Sequence, residues 1–373
     1  MKTRSILMTA LCSLMLGIGF ASCTDEDYGP TQPPLSEGDN FYRIHILNEG
    51  LWGANNANIT CYVFQNSDLA IKNFSNIYEN NNEKKMGDVA NAMMEEDDNI
   101  YVVLNGSKYA ARLKSYYCNE EARYTFPEAE GAPRCIDVED DFAYVTQYGG
   151  QVSKLNIKDM TLAGTFKGGD NLEGIVEKDG KLYVANTYTV DGSNNWVYNK
   201  EVFVIDAKTM TLEKTITVVD NPTKLYEIDG KIYLISQGNY ADVAGALQSI
   251  DPKTGTSKVI LNDVTKITEG NNNLIYGICA TYDANWQLTN SFFTYNPSTG
   301  AISETSFLQD APSSFSTAAI YLLEVDEETG FIYVGTSDYT TNGTIYQFDK
   351  SGKLVQSFDS GGINPSAMVF IND

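Results

Sequence analysis

One short phrase, a polar turn followed by a β-rich run with a central tyrosine, recurs along this chain. It appears as Asp179-Gly180-Lys181-Leu182-Tyr183-Val184 and again as Asp229-Gly230-Lys231-Ile232-Tyr233-Leu234. The central position is held in turn by Ile44, Tyr101, Tyr144, Tyr183, Tyr233, Tyr276 and Tyr333, so that successive copies are 57, 43, 39, 50, 43 and 57 residues apart. Repeats of this length, built from short strands and turns, predict a β-propeller.

The rest of each repeat has room for four strands. A second turn follows the third strand, as in Asp251-Pro252-Lys253-Thr254-Gly255. The first copy lacks a first strand, whereas residues 365–371 form a strand with no hairpin partner after it. We therefore predict an all-β, seven-bladed β-propeller over residues 40–373, closed by pairing the N- and C-terminal strands in one blade. An eighth blade would need a hidden repeat, and none is visible.

The first 22 residues have the features of an export signal, which lies outside the propeller. Lys2 and Arg4 precede an apolar run over residues 6–20. The stretch Phe20-Ala21-Ser22-Cys23 resembles a lipoprotein lipobox, although Phe20 replaces the usual leucine, and it predicts lipidation of Cys23. The alternative is an ordinary secretory signal in which this cysteine occurs by chance.

Residues 23–39 read as a lipidated, acidic and proline-rich tether between the signal and the propeller. Thr24-Asp25-Glu26-Asp27 resembles the export signal of Bacteroides-type surface lipoproteins, and a plain acidic linker is the alternative. Pro30, Pro33 and Pro34 favour an extended segment. The expected location is the outer membrane, with the propeller exposed at the cell surface and held there through its lipid anchor.

Charge and composition exclude several classes of function. The formal net charge of −23 repels phosphate backbones, which argues against a nucleic-acid partner. The single histidine, His45, excludes most histidine-ligated metal sites and most histidine-dependent catalysis. His45 lies on an alternating strand and is interpreted as a packed or edge residue, with a metal ligand as the alternative.

Four cysteines remain after Cys12 and Cys23 are set aside. Cys61, Cys118, Cys135 and Cys279 lie far apart, without CxxC spacing. Because each falls in a different blade or strand, we predict free, buried thiols. Disulfides, with three possible pairings, are the alternative for an exported protein.

The loops between the second and third strands should share a face with the crossovers between blades, where propellers usually bind ligands. Every blade carries an aromatic residue in this loop, and all three tryptophans fall there. Aromatic rings that can stack, beside side-chain amides that can form hydrogen bonds, suit a large amphipathic ligand. The predicted contacts are Asn48, Glu49, Trp52, Asn105, Tyr109, Arg134, Tyr148, Asn186, Tyr188, Trp196, Asn239, Tyr240, Tyr282, Trp286 and Tyr339.

Two alternatives apply to these contacts. A loop tyrosine can instead pack against the neighbouring blade, and this alternative is weaker for the tryptophans because their Gly- and Asn-rich loops offer less core to enter. Arg134, which could pair with an acidic group of a ligand, could instead form a structural salt bridge.

Catalytic signals are weak. Glu49, Asn186 and Asp338 could imitate the axial calcium ligands of lactonase-like propellers, but such residues are common in loops. No phosphate-binding glycine loop, heme-attachment motif or paired-carboxylate spacing stands out. We therefore predict a binding protein with no catalytic residue, no metal and no required cofactor.

The stretch Ile46-Leu47-Asn48-Glu49-Gly50-Leu51-Trp52-Gly53-Ala54-Asn55-Asn56-Ala57 is the most specific in the chain. Together with Gly87-Asp88-Val89-Ala90-Asn91-Ala92-Met93 and the tyrosine repeats, it resembles the YncE-like seven-bladed surface lipoproteins, over essentially residues 40–373. That family includes the cobalamin-capturing lipoproteins called BtuG. The resemblance implies capture of cobalamin (vitamin B12) or related corrinoids and transfer to a BtuB-type TonB-dependent outer-membrane transporter. The alternatives are a glycan- or protein-binding surface propeller and, more remotely, a calcium-dependent hydrolase.

Overall fold

The computed structural model describes residues 41–65, 70–270 and 273–372. The predicted signal peptide, Cys23 and the tether lie outside the described residues. The described chain folds into seven four-stranded antiparallel sheets, which confirms the predicted all-β seven-bladed propeller.

In every sheet except that of blade one, four consecutive strands follow one another from the axis of the ring outwards. In chain order the strands are β1 (Phe41–Asn48), β2 (Asn58–Gln65), β3 (Ala70–Phe74), β4 (Ala90–Glu96), β5 (Asn99–Leu104), β6 (Tyr109–Lys114), β7 (Glu120–Thr125), β8 (Pro133–Glu139), β9 (Phe142–Gln147), β10 (Gln151–Asn156), β11 (Leu162–Lys167), β12 (Asn171–Lys178), β13 (Lys181–Val190), β14 (Trp196–Asp206), β15 (Thr211–Thr217), β16 (Pro222–Ile228), β17 (Lys231–Ser236), β18 (Ala246–Asp251), β19 (Thr256–Asn262), β20 (Val264–Glu269), β21 (Ile275–Tyr282), β22 (Leu288–Tyr295), β23 (Ile302–Ser303), β24 (Ala319–Val325), β25 (Ile332–Ser337), β26 (Thr344–Phe348), β27 (Leu354–Asp359) and β28 (Pro365–Asn372).

Blade one is assembled from both ends of the propeller, as predicted. Its strand order is β28-β1-β2-β3, with the C-terminal strand innermost. Ile44 pairs with Phe370, and Ile46 pairs with Met368. The other six blades are each built from four consecutive strands, so blade one closes the ring.

The repeated tyrosines hold neighbouring blades together. Tyr233 on β17 packs among Val264, Ile267 and Phe293 of the following blade. Tyr101 packs in the same way against the blade that follows it. Each tyrosine is buried on the second strand of its blade, and burying an aromatic ring in a packed core contributes strongly to stability.

The turns between first and second strands explain the Asp-Gly signature. Asp179 and Gly180 both have positive φ, 51° and 77°, as the tight turn of a two-residue hairpin requires. Asp229 and Gly230 adopt the same conformation, with φ of 48° and 73°.

Aspartates also shape the turns after the third strand. Oδ1 of Asp206 accepts hydrogen bonds from the backbone N–H groups of Lys208 and Thr209, at 3.1 and 2.7 Å. Asp251 caps Lys253 and Thr254 in the same way. Several of the acidic residues therefore have local structural roles.

Helical structure is minor in the described residues. Besides two short 3₁₀ turns (Glu128–Glu130 and Ser313–Ser316), these ranges contain the six-residue helix α1 (Ile77–Asn82). Within them no helix is long and apolar enough to cross a membrane.

The four cysteines of the described residues are free, as predicted. Cys61 and Cys118 are buried, whereas Cys135 and Cys279 are partly buried. His45 is fully buried, which confirms its interpretation as a packed residue, and its Nδ1 lies 3.8 Å from Sγ of Cys118. Burial and the nearby Arg43 lower the pKa of His45 to about 3. The ring is therefore neutral at physiological pH.

Candidate functional site: an aromatic face above an axial cavity

The loops after the second strands share one face of the ring with the crossovers between blades. The backbone N–H of Glu49 donates to the carbonyl of Asn364, at 2.9 Å, in the crossover that leads into β28. The carbonyl of Glu49 in turn accepts from the N–H of Ala90, at 3.1 Å, at the start of the next blade. We call this surface the aromatic face.

The most exposed aromatic side chains of the described residues belong to this face. Trp52 is 74% exposed, Trp286 79% and Tyr240 68%. Trp196, Tyr282 and Tyr339 are each more than half exposed as well. Single exposed apolar residues are ordinary on protein surfaces, but a set on one face marks a candidate interaction site.

Trp52 stands on a loop that the next blade holds in place. The carboxylate of Asp88 accepts hydrogen bonds from the N–H groups of Gly53 and Asn55, at 2.9 and 3.2 Å. The side chain of Asn56 accepts from the N–H of Leu51 at 2.9 Å. The indole is therefore presented from an ordered turn although its own surface is free.

Blade four presents its aromatics on a long hairpin. Strands β13 and β14 continue beyond the sheet and pair Tyr188 with Tyr198 and Val190 with Trp196. The rings of Tyr188 and Trp196 stack with centroids 5.0 Å apart and planes inclined by 16°. Tyr148 of blade three meets Tyr188 edge-on at 6.3 Å.

Arg134 forms a structural ion pair beneath these rings. Its guanidinium bonds Glu173 through Nη2 at 2.9 Å and through Nε at 3.1 Å. The hydroxyl of Tyr148 donates to the same carboxylate at 2.5 Å, and the Tyr148 ring lies 4.5 Å from the guanidinium carbon. Burial opposes the guanidinium charge, but Glu173 outweighs it and raises the pKa of Arg134. The salt bridge considered from the sequence is confirmed.

Phenol groups continue around the mouth of the ring from blade four to blade seven. Tyr198 meets Tyr240 edge-on, with centroids 5.5 Å apart. Burial raises the pKa of Tyr240, and the nearby Tyr198 and Tyr282 raise it further. Burial likewise raises the pKa of Tyr339, with Tyr282 as the next cause. Tyr240 therefore lies near Tyr198 and Tyr282, and Tyr339 lies near Tyr282; we call this set of phenols the arc.

A cavity of about 370 Å³ opens inside this arc. Tyr282 and Tyr339 line it from the face, and residues of the inner strands β16, β20, β24 and β28 line it below. Glu49 belongs to its wall and accepts a hydrogen bond from the Tyr321 hydroxyl at 2.8 Å. Burial raises the pKa of Glu49, although the hydrogen bond from Tyr321 opposes the rise. A volume of this order is that of a small-molecule site.

Four predicted contacts are buried rather than presented on the face. The side-chain NH₂ of Asn48 donates to Asn58 and Thr60. That of Asn105 donates to the Pro133 carbonyl, and that of Asn186 to Glu201. The Tyr109 hydroxyl donates to the Met86 carbonyl at 2.5 Å. In this structure the three side-chain NH₂ groups and the Tyr109 hydroxyl donate to partners inside the blades, so these side chains are not presented on the aromatic face.

Asn239 has a local role in its own loop. Its Oδ1 accepts from the backbone N–H groups of Ala241 and Val243, at 3.0 and 2.9 Å. Its side-chain amide donates to Asp242 at 2.8 Å. Asn239 thus shapes the loop that carries the exposed Tyr240.

The axial calcium set considered from the sequence is not assembled. Asp338 caps the backbone N–H groups of Thr340 and Thr341, while Asn186 is buried against Glu201. Within the described ranges, no three His, Cys, Asp or Glu side chains form a group that could hold a metal ion.

Sequence reasoning missed several residues of the cavity wall. Lys224, Lys266 and Tyr321 lie on the inner strands β16, β20 and β24, far apart in sequence. Their position on the first strands of the blades could have indicated this role, because first strands line the axis of any propeller.

Comparisons with known proteins support the fold and no narrower assignment. No protein-family model matches this chain, and no curated protein matches it. Hydrazine synthase of Kuenenia stuttgartiensis is similar in structure, with 16% identity over 68% of this chain and 74% of that one and a TM-score of 0.54. The dihydro-heme d1 dehydrogenase NirN in complex with DHE is 12% identical over 91% and 77%, with a TM-score of 0.52. Apo AztD from Citrobacter koseri is 11% identical over 88% and 84%, with a TM-score of 0.51. The chain is a seven-bladed propeller distantly similar to various others, with a fold consistent with a binding protein.

Proposed function

We propose that this propeller binds a corrinoid, cobalamin or a close relative, on its aromatic face. The observation that carries the proposal is the arc of exposed and half-buried phenols and indoles around the axial cavity. A corrin is broad, amphipathic and fringed with amides, so it suits ring faces for stacking and phenol hydroxyls for hydrogen bonds. Residues 46–57 resemble the YncE-like surface lipoproteins, a family that includes the cobalamin-capturing ones, and this resemblance supports the same ligand.

In a site of this kind, a few side chains are expected to contribute most of the binding free energy. Binding energy concentrates in buried Trp, Tyr and Arg contacts rather than spreading over the whole interface. Trp196 and Tyr240 fit this role because each already has one ring partner, Tyr188 and Tyr198 respectively, and leaves its remaining surface open. A ligand seated on both would bury them without rearranging the blades.

Calorimetry with cyanocobalamin tests the proposal. We expect measurable heat and coloured protein after gel filtration, and we expect Tyr240→Ala and Trp196→Ala each to weaken binding about tenfold or more, as loss of an anchor does. Leu212→Ala is the matched control, since Leu212 is an exposed apolar residue on β15, the outermost strand of its blade.

Two results would contradict the proposal. Absence of heat and of retained colour would exclude corrinoid binding. Unchanged affinity in both aromatic variants would show that the ligand does not bind on this face. Binding to a glycan array in place of cyanocobalamin would favour the alternative surface lectin, because exposed aromatic rings also stack on sugars.

We further propose that the chain acts at the cell surface as a lipoprotein and passes its ligand to a BtuB-type outer-membrane transporter. The support is the lipobox-like stretch ending in Cys23 and the acidic residues that follow it. Cys23→Ser should abolish incorporation of labelled fatty acid and release the protein from membranes, with Cys279→Ser as the control. Retained lipid label in Cys23→Ser would contradict it.

A further inference from the structure

Two lysines lie between two cavities near the axis of the ring. Lys224 on β16 and Lys266 on β20 line the cavity of about 370 Å³ below the aromatic face. Both also line a second cavity, of about 240 Å³, further along the axis. Tyr321 and Ser366 are likewise common to both cavities, so these residues form the wall between them.

The two lysines are neighbours on the walls of both cavities, and among the described residues neither forms an ion pair. Each is close enough to contribute to the electrostatic environment of the other. Over residues 41–65, 70–270 and 273–372, neither has a carboxylate within 4.0 Å. Arg134, also on an inner strand, differs in being paired with Glu173. Protein surrounds both lysines, yet the Lys224 side chain is open to the channel.

The nearest carboxyl groups compensate the lysines weakly. Glu49 lies in the upper cavity and is bonded by the Tyr321 hydroxyl. Glu324 lies in the lower cavity and accepts a hydrogen bond from Thr268 at 3.4 Å. Burial raises the pKa of Glu49, and it raises the pKa of Glu324 to about 7. Near neutral pH, Glu324 therefore carries only part of a negative charge.

Bringing two ammonium groups together in a confined channel is unfavourable without an anion. Burial lowers the pKa of Lys266 well below its ordinary value, and the adjacent Lys224 lowers it further. An anion placed between the two amino groups would accept hydrogen bonds from both and offset their repulsion. The cavity above them provides the space and a route from the aromatic face.

We propose that the axial channel binds an anionic group, a phosphate or a carboxylate, between the amino groups of Lys224 and Lys266. The overall charge of −23 repels anions from the surface, which makes this inward-facing cationic pair a selective site. The proposal goes beyond corrinoid binding and does not depend on it, because a free anion or an anionic group of a larger ligand would satisfy the same two lysines.

Titration with inorganic phosphate and with acetate tests the proposal. The probes are compared with sodium chloride at equal ionic strength, and binding is followed by calorimetry and by the rise in Tm that ligand binding produces. We expect at least one of the two anions to bind. Lys224→Met and Lys266→Met should each weaken that binding by about tenfold or more, since each removes a charged hydrogen bond. Lys253→Met, at an exposed turn, should change nothing.

The Tm measured without added anion shows whether a variant has lost the binding site or has lost its fold. Because burial and the adjacent Lys224 already disfavour the charged form of Lys266, Lys266→Met should unfold in chloride at the same temperature as the wild type or higher. Failure of both anions to bind the wild type would overturn the proposal. Equal binding by wild type and both methionine variants would also overturn it.

A comparison of two corrinoids tells whether the bound anionic group belongs to the ligand or is a free anion. Cyanocobalamin carries a phosphodiester, and cobinamide lacks it. A larger loss of affinity for cyanocobalamin than for cobinamide in Lys266→Met would assign the site to the ligand's own phosphate. Equal affinities in variant and wild type, with the response to free anion lost, would assign it to a free anion. If neither corrinoid binds, the phosphate and acetate titrations still decide the lysine site.

Discussion

Tyr233 and Tyr240 belong to the same blade, yet one is 1% exposed and the other 68%. Tyr233 lies on β17 and packs into the next blade, whereas Tyr240 has positive φ, 55°, in the loop that follows. A tyrosine at the repeat position thus holds two blades together, whereas a tyrosine at the loop position is exposed and available to a ligand. Position within the repeat, rather than residue type, separates the framework tyrosines from those available to a ligand.

The largest expected effect is at the framework position. Tyr233→Ala should reduce the free energy of unfolding by about 3–5 kcal/mol, the range for removing a large buried aromatic ring. Urea denaturation measures it. Tyr233→Phe is the control and should stay close to wild type, because it keeps the ring.

Tyr240→Ala tests the exposed tyrosine of the same blade. A surface change of this kind should alter stability by no more than about 0.5 kcal/mol. A loss for Tyr240→Ala as large as that for Tyr233→Ala would remove the distinction between the two sets of tyrosines.

Tyr148 lies between the two sets and should give an intermediate effect. It is half buried, and its hydroxyl donates to the Glu173 carboxylate that also holds Arg134. Tyr148→Phe should cost about 1.5 kcal/mol, the lower end for a hydrogen bond to a charged group, since the site is partly open to solvent. Comparison of urea midpoints with wild type checks this value, and an unchanged midpoint would place Tyr148 among the presented residues.

The sequence was sufficient for the fold because the repeat is periodic. The steps between the tyrosines predicted the blade number, and the unpaired strand at residues 365–371 predicted the closure with β1. The turn residues Asp179 and Gly180 marked a hairpin because few other residues adopt positive φ at such low cost.

The site was predicted less completely. Trp52 and Trp196 were recognisable as exposed because their loops are rich in Gly and Asn. Asn48 and Asn105 looked similar, but partners far away in sequence bury them: Ser360 accepts from Asn48 through its carbonyl, and Pro133 accepts from Asn105. Which loop-edge side chains turn inward depends on the crossover that packs over them.

The lysine pair shows the same limitation more strongly. Lys224 and Lys266 meet only because the inner strands of adjacent blades converge on the axis. The residues directly beside them, Thr223 and Leu225 or Thr265 and Ile267, do not distinguish them from solvated surface lysines. Their proximity is a property of the closed ring, and local sequence patterns do not contain it.

The pairing of β28 with β1 also sets the order of assembly. All the strand pairs of the other blades are local in sequence, so those sheets can form while the chain is being made. Blade one needs two strands from opposite ends of the propeller, and contacts of such long sequence separation form late and slowly. The aromatic face and the channel beneath it therefore take their final shape only when the last strand docks, so ligand-binding competence should be the last property that the folding chain acquires.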